Sequence, residues 1–214
     1  STATFYNSRI NGDPAANFNG VQWGLPTDIP LAGDFDDDGA NDAAVFRPSD
    51  RVWYIRSSID GSLIAQQWGL ATDKLVPADY DGDGSTDIAV YRDGTWYISY
   101  CSQCPLRAEF FGLASDVPVP GDYDGDGIVD IAVWRPSTGI WYLNRSTAGF
   151  TAVQWGISTD KALNGDFDAD GKNDITVWRP SDGNWYILRS SDGAFSATHW
   201  GQNGDIPVSQ FPNQ

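Results

Sequence analysis

Residues 121–143 read GDYDGDGIVDIAVWRPSTGIWYL, and this stretch decides the fold. An Asp-rich loop at 122–130 leads into the run IAVW, in which the side chains on both faces of a strand would be apolar. A strand that is apolar on both faces lies in a sheet covered on both sides. No segment of the chain has a sustained 3.6-residue apolar period, so other sheets, and not helices, must provide the cover.

The same pattern recurs along the chain. Trp-Gly pairs begin at residues 23, 68, 155 and 200, with Phe111-Gly112 as a variant, which gives a repeat of about 44 residues. Within each repeat, clusters of Pro, Gly, Asp and Ser separate four short apolar segments, which predict four strands. Four-stranded units of this length are typical of β-propeller blades.

The repeats predict an all-β chain, with residues 1–214 forming a single β-propeller domain of five blades. Each blade would hold four short antiparallel strands, and the fifth would combine the two ends of the chain, 1–24 and 202–214. Thr4-Phe5-Tyr6 has the pattern of a third strand, and residues 205–208 have that of a first strand. Such a shared blade would close the ring and remove open sheet edges; a piece of a longer array is the alternative.

Four loops carry Asp at positions 1, 3, 5 and 9 and Gly at position 6, whereas Phe211 stands where a fifth loop would begin. Ca²⁺ prefers six to eight oxygen ligands from carboxylates and backbone carbonyls. Four carboxylates so close together would repel one another without a cation. We therefore predict about four Ca²⁺ ions, each bound by these carboxylates and the position 7 carbonyl. The predicted ligands are Asp34, Asp36, Asp38, Ala40 and Asp42; Asp79, Asp81, Asp83, Ser85 and Asp87; Asp122, Asp124, Asp126, Ile128 and Asp130; and Asp166, Asp168, Asp170, Lys172 and Asp174.

The composition excludes several classes of function. The net charge is −16, and all of the 29 acidic residues are Asp except Glu109. This acidity argues against nucleic-acid binding, which needs clustered Lys and Arg. The single His leaves little room for Ser/His triad or metal-hydrolase chemistry. Because no apolar run approaches 18 residues, we predict no membrane span.

Three other sets of residues are candidates for specific roles. The Trp of each third strand could stack on sugars, although its repetition favours packing between blades; these are Trp53, Trp96, Trp141 and Trp185. The Arg that ends each second strand is expected to pair with a nearby Asp or carbonyl, with an anionic ligand as the alternative; these are Arg47, Arg92, Arg135 and Arg179. Cys101 and Cys104 form the sequence CSQC and predict a local disulfide, since a redox motif needs a helix N-terminus.

The stretch 121–143 closely resembles FG-GAP/VCBS-type repeats, the calcium-loop blades also seen in integrin α-subunit propellers and in some fungal and bacterial lectins. The resemblance covers nearly the whole chain. It implies a β-propeller with Ca²⁺ held between the first and second strands of a blade, in an extracellular or cell-surface setting. The chain departs from the pattern at Phe111, at Arg92, where RDG replaces RPS, and in the missing fifth loop.

Three functions compete. The first is a secreted, Ca²⁺-stabilised module that binds carbohydrate or protein and has no catalytic residue. The second is a carbohydrate-active enzyme, a glycosidase or lyase, with paired carboxylates in a central cleft. An active site is asymmetric, however, and the acids here are repeated, including the turn residues Asp28, Asp73, Asp116, Asp160 and Asp205. The third is a passive adhesion or spacer scaffold within a larger surface protein. We expect the first.

Overall fold

The computed structural model describes residues 4–8, 18–100 and 105–207, with side chains from residue 23 onward. These residues form strands, turns and bends and no helix, so no helix that could cross a membrane occurs among them. Contacts divide the chain into two compact units. The first comprises residues 1–73 and 84–86, and the second comprises residues 74–83 and 87–214.

The first unit contains a hairpin and one four-stranded antiparallel sheet, blade 1. The hairpin pairs β1 (Thr4–Ser8) with β2 (Phe18–Gln22). The strands of blade 1 follow one another in sequence order: β3 (Ile29–Gly33), β4 (Asp42–Arg47), β5 (Val52–Arg56) and β6 (Leu63–Gln67).

The second unit contains three sheets of the same topology. Blade 2 consists of β7 (Lys74–Leu75), β8 (Ile88–Arg92), β9 (Thr95–Ser99) and β10 (Arg107–Phe110). Blade 3 consists of β11 (Val117–Pro118), β12 (Ile131–Arg135), β13 (Ile140–Arg145) and β14 (Gly149–Gln154). Blade 4 consists of β15 (Lys161–Leu163), β16 (Ile175–Arg179), β17 (Asn184–Leu188) and β18 (Phe195–His199).

The core of the second unit lies between consecutive sheets. Ile131 and Val133 of β12 belong to the apolar cluster of blade 2, where they pack with Trp96. On the opposite face of the same strand, Ala132 and Trp134 belong to the cluster that joins blade 3 to blade 4. All four residues of this run are at most 2% exposed, which confirms the prediction of a strand buried on both faces.

The prediction of five four-stranded blades is wrong, because the described residues contain four. The hairpin does pair as a third and a fourth strand should: Phe5 lies opposite Val21, as Trp141 lies opposite Val153. It forms a two-stranded sheet, and residues 201–207 contain no strand. The predicted loop position at Phe211 lies outside the described residues. The physical reason is the missing second strand, which in each blade pairs with both the first and the third.

Thr176 of β16 stands where the other blades have Ala44, Ala89 and Ala132. It is 0% exposed, and its hydroxyl oxygen has no hydrogen-bond partner in the described structure. A buried hydroxyl without a partner costs free energy, and Val has nearly the same shape without the hydroxyl. We expect Thr176→Val to raise the free energy of unfolding by about 1 kcal/mol in urea titrations. An unchanged or lower midpoint would show that the hydroxyl is satisfied.

Candidate functional site

Each Asp loop brings the carboxylates of positions 1, 3 and 9 together. In every loop, one oxygen from each of the three side chains lies within 4.8 Å of the other two. Four Asp triads are therefore positioned to hold a metal ion. They are Asp34, Asp36 and Asp42; Asp79, Asp81 and Asp87; Asp122, Asp124 and Asp130; and Asp166, Asp168 and Asp174.

The position 9 carboxylate is buried and ties the loop to the rest of its blade. In blade 3, Asp130 is 1% exposed and directly precedes β12. Its Oδ2 accepts a hydrogen bond from the Tyr123 N–H (2.9 Å) at the start of the loop, and its Oδ1 accepts one from the Ser146 N–H (2.7 Å) after β13. Asp42 and Asp174 accept equivalent pairs of bonds, so the arrangement is a repeated one.

The position 1 carboxylate holds the loop's own backbone in a tight turn. Asp122 accepts hydrogen bonds from the N–H groups of Gly125 (2.6 Å) and Gly127 (2.9 Å). Asp166 accepts the corresponding bonds from Ala169 and Gly171. The loop therefore satisfies its own amides and keeps the first carboxylate in place beside the third and the ninth residues.

In two of the four loops, the position 3 carboxylate has a buried oxygen that accepts no hydrogen bond within the described structure. These oxygens are Asp124 Oδ1 and Asp168 Oδ1. The other oxygen of each is held by the hairpin after the third strand: Asp124 Oδ2 accepts from the Ala148 N–H (2.7 Å), and Asp168 Oδ2 from the Ser191 hydroxyl (2.5 Å). A buried carboxylate oxygen without a donor is costly unless a cation neutralises it. The triads therefore fit a metal ion that prefers oxygen ligands.

Burial and mutual repulsion raise the pKa of three position 9 residues, Asp42, Asp87 and Asp130. Burial raises the pKa of Asp87 to about 7, and nearby carboxylates add to this effect. The hydrogen bond from the Tyr80 N–H acts in the opposite direction. The same causes raise the pKa of Asp130 to about 6. A cation bound between the three carboxylates would remove the repulsion and return these groups to their charged form.

The metal-free protein should therefore lose stability as the pH rises from 5 to 7.5. Asp87 and Asp130 have a higher pKa in the folded protein than the ordinary value of 3.8, so the folded state binds more protons than the unfolded state in this range. In EDTA, we expect a melting temperature about 5 °C or more lower at pH 7.5 than at pH 5. A melting temperature that rises with pH in EDTA would contradict this. With saturating Ca²⁺ the trend should vanish or reverse.

The position 5 carboxylate lies outside the triads. Asp38 Oδ2 accepts from the Ser58 hydroxyl (2.9 Å), and Asp170 Oδ1 accepts from the Ser190 hydroxyl (2.9 Å). Asp126 likewise accepts from hydroxyls in the hairpin that follows its third strand. The predicted ligand at position 7 donates its backbone N–H to the same carboxylate in three loops, at Ala40, Ile128 and Lys172.

The loop backbone needs left-handed residues at positions 4 and 6. Position 6 is always Gly, with φ between 83° and 94°. Position 4 is Gly82 or Gly125 in two loops, but Asp37 (φ 58°) and Ala169 (φ 61°) in the others. A side chain other than Gly is strained in this region.

Replacing Ala169 with Gly should relieve this strain. We expect Ala169→Gly to raise the free energy of unfolding by about 0.5–1 kcal/mol. The relief of strain in the folded state exceeds the opposing effect of the greater freedom of Gly in the unfolded chain. Urea unfolding with and without Ca²⁺ would measure it. The reverse change at the matched position of blade 3, Gly125→Ala, should destabilise; equal stability of all three proteins would contradict the argument.

A backbone hydrogen bond links each loop to the next. The Asn173 N–H donates to the Asp122 carbonyl (2.6 Å), and the Val129 N–H donates to the Asp79 carbonyl (2.8 Å). Within the first unit, the Thr86 N–H donates to the Asp34 carbonyl (2.5 Å). Within the second unit, position 8 of one loop thus bonds to position 1 of the previous loop, so the three loops there are joined in a row.

The Trp residues of the third strands pack inside the protein. Trp53, Trp96 and Trp141 are 0% exposed, and each donates its indole N–H to a backbone carbonyl about 15 residues further along its blade. Only Trp185 of this set has solvent-exposed surface in the described structure. The predicted disulfide cannot be placed, because Cys101 and Cys104 lie outside the described residues.

A repeated ion pair joins the turn after Trp-Gly to the following blade. Asp116 accepts hydrogen bonds from Arg135 Nε (2.9 Å) and Nη2 (2.8 Å), and Asp160 accepts the same two bonds from Arg179. Each guanidinium also lies over a Tyr ring, at 4.5 Å for Tyr142. The expectation that these arginines pair with a nearby Asp is thus confirmed for Arg47, Arg135 and Arg179. The sequence did not identify which Asp, although the constant separation of 19 residues was a usable signal.

A cavity of about 240 Å³ adjoins this ion pair in the first unit. Its lining residues are Trp23, Gly24, Leu25, Val45, Arg47 and Tyr54. Arg47 is fixed by Asp28 (3.0 and 2.9 Å) and lies 4.3 Å from the centre of the Tyr54 ring. The cavity is thus apolar and aromatic, with one guanidinium held in a fixed orientation.

The comparisons with known proteins show the fold alone. A lectin of Agrocybe aegerita, described by its specific recognition of non-reducing terminal N-acetylglucosamine, matches with a TM-score of 0.62 at 18% identity, over 89% of this chain and 59% of that chain. The fold is a β-propeller. BBS1N in complex with ARL6DN matches with a TM-score of 0.48 at 16% identity, over 83% of this chain and 58% of that chain. The chain thus spans about three fifths of the length of the structures that it matches. No family model and no curated protein matches it.

Proposed function

We propose that this chain is a Ca²⁺-stabilised β-propeller module of the FG-GAP/VCBS type that binds carbohydrate outside the cell. The cavity beside the Trp-Gly turn carries the proposal. Binding sites for small molecules are concave and mostly apolar, with a few fixed polar groups that orient the ligand. Trp23 and Tyr54 offer aromatic surface for the apolar face of a sugar, and the guanidinium of Arg47 offers fixed donors for its hydroxyls.

The same surface recurs in the second unit. In the second unit, exposed apolar side chains also follow the Phe111-Gly112 and Trp155-Gly156 pairs: Leu113 is 47% exposed and Ile157 is 50% exposed, compared with 46% for Leu25. Each precedes the Asp that holds the next arginine. The last pair is followed by the polar Gln202. Several weak, equivalent sites on one chain would bind a branched or clustered glycan far more tightly than a single sugar. The recognition of terminal N-acetylglucosamine by the Agrocybe aegerita lectin makes glycans with that terminus the first probes.

Ca²⁺ is the proposed ion for the four triads. Every triad offers carboxylate oxygens and no nitrogen or sulfur ligand, which suits a hard cation. Mg²⁺ requires near-ideal octahedral geometry and gives up its water reluctantly, so a loop of backbone and carboxylate oxygens suits Ca²⁺ better. The dissociation constants of extracellular modules, about 10⁻⁴ to 10⁻³ M, match an environment rich in calcium. The ion is proposed as a structural clip, since the triads lie apart from the sugar cavity's lining residues.

Binding of the purified 214-residue chain to a glycan array, in Ca²⁺ and in EDTA, would test the proposal. The triple variant Leu25→Asp, Leu113→Asp, Ile157→Asp should lose at least about tenfold in apparent affinity, because three sites lose their apolar wall and the avidity that they share. Ile59→Asp is a matched control, since Ile59 is 75% exposed and does not line the sugar cavity or follow a Trp-Gly pair directly. Absence of binding to every glycan, or equal binding by the triple variant, would overturn the proposal.

A further inference from the structure

The turn that follows blade 4 holds an aspartate that pairs with no arginine among the described residues. The sequence contains five such turn aspartates but only four arginines that end second strands. Arg47, Arg135 and Arg179 pair with the Asp of the preceding turn, and Arg92 lies over Tyr97 of its own blade. Asp205 is the fifth aspartate, and no ion pair to it occurs in the described part of the chain.

Asp205 is nevertheless held as its counterparts are. Its Oδ2 accepts a hydrogen bond from the Gln202 N–H (2.8 Å), as Asp160 Oδ2 accepts one from the Ile157 N–H (2.9 Å). Its own N–H donates to the Gln202 carbonyl (3.0 Å), as the Asp160 N–H donates to the Ile157 carbonyl (2.9 Å). The side chains of Asp116 and Asp160 are fully buried, whereas Asp205 is exposed. The backbone of the turn therefore holds the Asp205 carboxylate in the orientation in which its counterparts bind a guanidinium.

The surface around Asp205 is a tryptophan-rich cavity of about 390 Å³. It is lined by Trp178, Trp185, Trp200, Gly201, Asp205, Ile206 and Pro207. Trp200 is 76% exposed and its indole N–H donates no hydrogen bond in the described structure, whereas the Trp155 indole donates to the Tyr186 carbonyl of the next blade (3.0 Å). Exposed apolar surface of this size and aromatic content is typical of a protein interface.

Blade 3 shows which residues cover the equivalent tryptophan-bearing face inside the protein. On blade 3, the face that carries Trp134 and Trp141 is covered by Ile175 and Val177 of the next second strand, which ends in Arg179. The corresponding side chain on blade 4, Trp185, is only partly buried. In the described part of the chain, the second strands that end in Arg are β4, β8, β12 and β16, and each is already paired inside its own blade.

We propose that this face of blade 4 binds a β-strand of another polypeptide that carries branched apolar residues at alternate positions and then an arginine, in the order Ile-x-Val-x-Arg. The apolar side chains of that strand would cover the tryptophan-rich cavity. Its guanidinium would donate two parallel hydrogen bonds to the Asp205 carboxylate, the geometry that three other turns show within the chain. This proposal does not rest on carbohydrate binding.

A peptide titration tests it. The probe is the acetylated and amidated peptide Asp-Ile-Ala-Val-Trp-Arg-Pro-Ser, the sequence of residues 130–137, added to the full chain labelled with ¹⁵N at the indoles. We expect saturable shifts of the indole signals, including that of Trp200, and at least about tenfold weaker binding of the peptide with the Arg135→Gln change, because charge-assisted pairs exceed neutral ones.

Two protein variants complete the experiment. Asp205→Asn should weaken binding of the peptide by at least about tenfold, whereas Asp192→Asn, on an exposed hairpin of the same blade, should leave it unchanged. No indole shift, equal binding of the two peptides, or equal binding by Asp205→Asn would each overturn the proposal. Slow solvent exchange of the Trp200 indole proton in the free chain would also overturn it, since the face would then already be covered.

Discussion

Removing metal with EDTA at pH 7.5 should lower the melting temperature by about 20 °C. An ion that binds only the folded state stabilises it by about 2.7 kcal/mol at a hundred times its dissociation constant, and the protein has four triads. For a chain of this length each kcal/mol shifts the melting temperature by about 2–4 °C. The loss has a physical source in the triads themselves, where buried carboxylates would face one another without a counter-charge.

Differential scanning calorimetry in 10 mM Ca²⁺, in EDTA and in 10 mM Mg²⁺ would measure this effect. We expect Ca²⁺ to restore the melting temperature after EDTA and Mg²⁺ to restore it only in part. Coincident melting curves in all three conditions, together with no calcium in the purified protein by elemental analysis, would show that the triads bind no ion. Recovery with Mg²⁺ alone would keep the metal but change its identity.

Asp130→Asn should cost about 3–5 kcal/mol of stability in Ca²⁺, against about 1 kcal/mol or less for Asp126→Asn. Asp130 accepts hydrogen bonds from two backbone N–H groups while lying in the triad, and an Asn amide can present only one acceptor oxygen. The other backbone donor would then face an NH₂ group. Asp126 accepts mainly from exposed hydroxyls, which water can replace.

Urea unfolding of the two variants and calorimetric titration with Ca²⁺ would check both halves of this prediction. Asp130→Asn should bind one ion fewer than the parent chain. In EDTA at pH 5 its deficit should shrink, because the raised pKa of Asp130, about 6, leaves that residue mostly neutral there and similar to an amide. Equal losses for the two variants would mean that positions 5 and 9 contribute alike to the site.

The sequence predicted the blade and its loop well, because both depend on local patterns that recur. Asp124, Asp126 and Asp130 could be recognised as a loop, and the both-face apolar run after Asp130 as a buried strand. The sequence did not show that the position 9 aspartate belongs to the triad whereas the position 5 aspartate lies outside it. That difference depends on Ser146, which follows the third strand and reaches the loop only when the strands pair. Contacts between residues distant in sequence are not contained in a local pattern.

The blade count failed for a related reason. Thr4-Phe5-Tyr6 and residues 205–208 match single strands of the repeat, but a match to single strands does not specify a whole blade. A blade needs its second strand, since the first and third strands both pair with it. The expectation that Arg135 pairs with a nearby Asp is confirmed, although the sequence did not identify Asp116 as that residue. The two residues meet because β11 pairs with β12, where Val117 lies opposite Trp134.

The hydrogen bonds from Val129 to Asp79 and from Asn173 to Asp122 join three loops in a row, with the loop at 122–130 between the other two. Energy in such an array is a sum of terms for single units and terms for adjacent pairs. Occupancy of one loop then favours order in the loops beside it, and the influence fades with each step along the row. A substitution that weakens one loop is thereby partly offset by the contacts with its neighbours. An array of these units can also gain or lose one unit while the contacts between the other units stay the same.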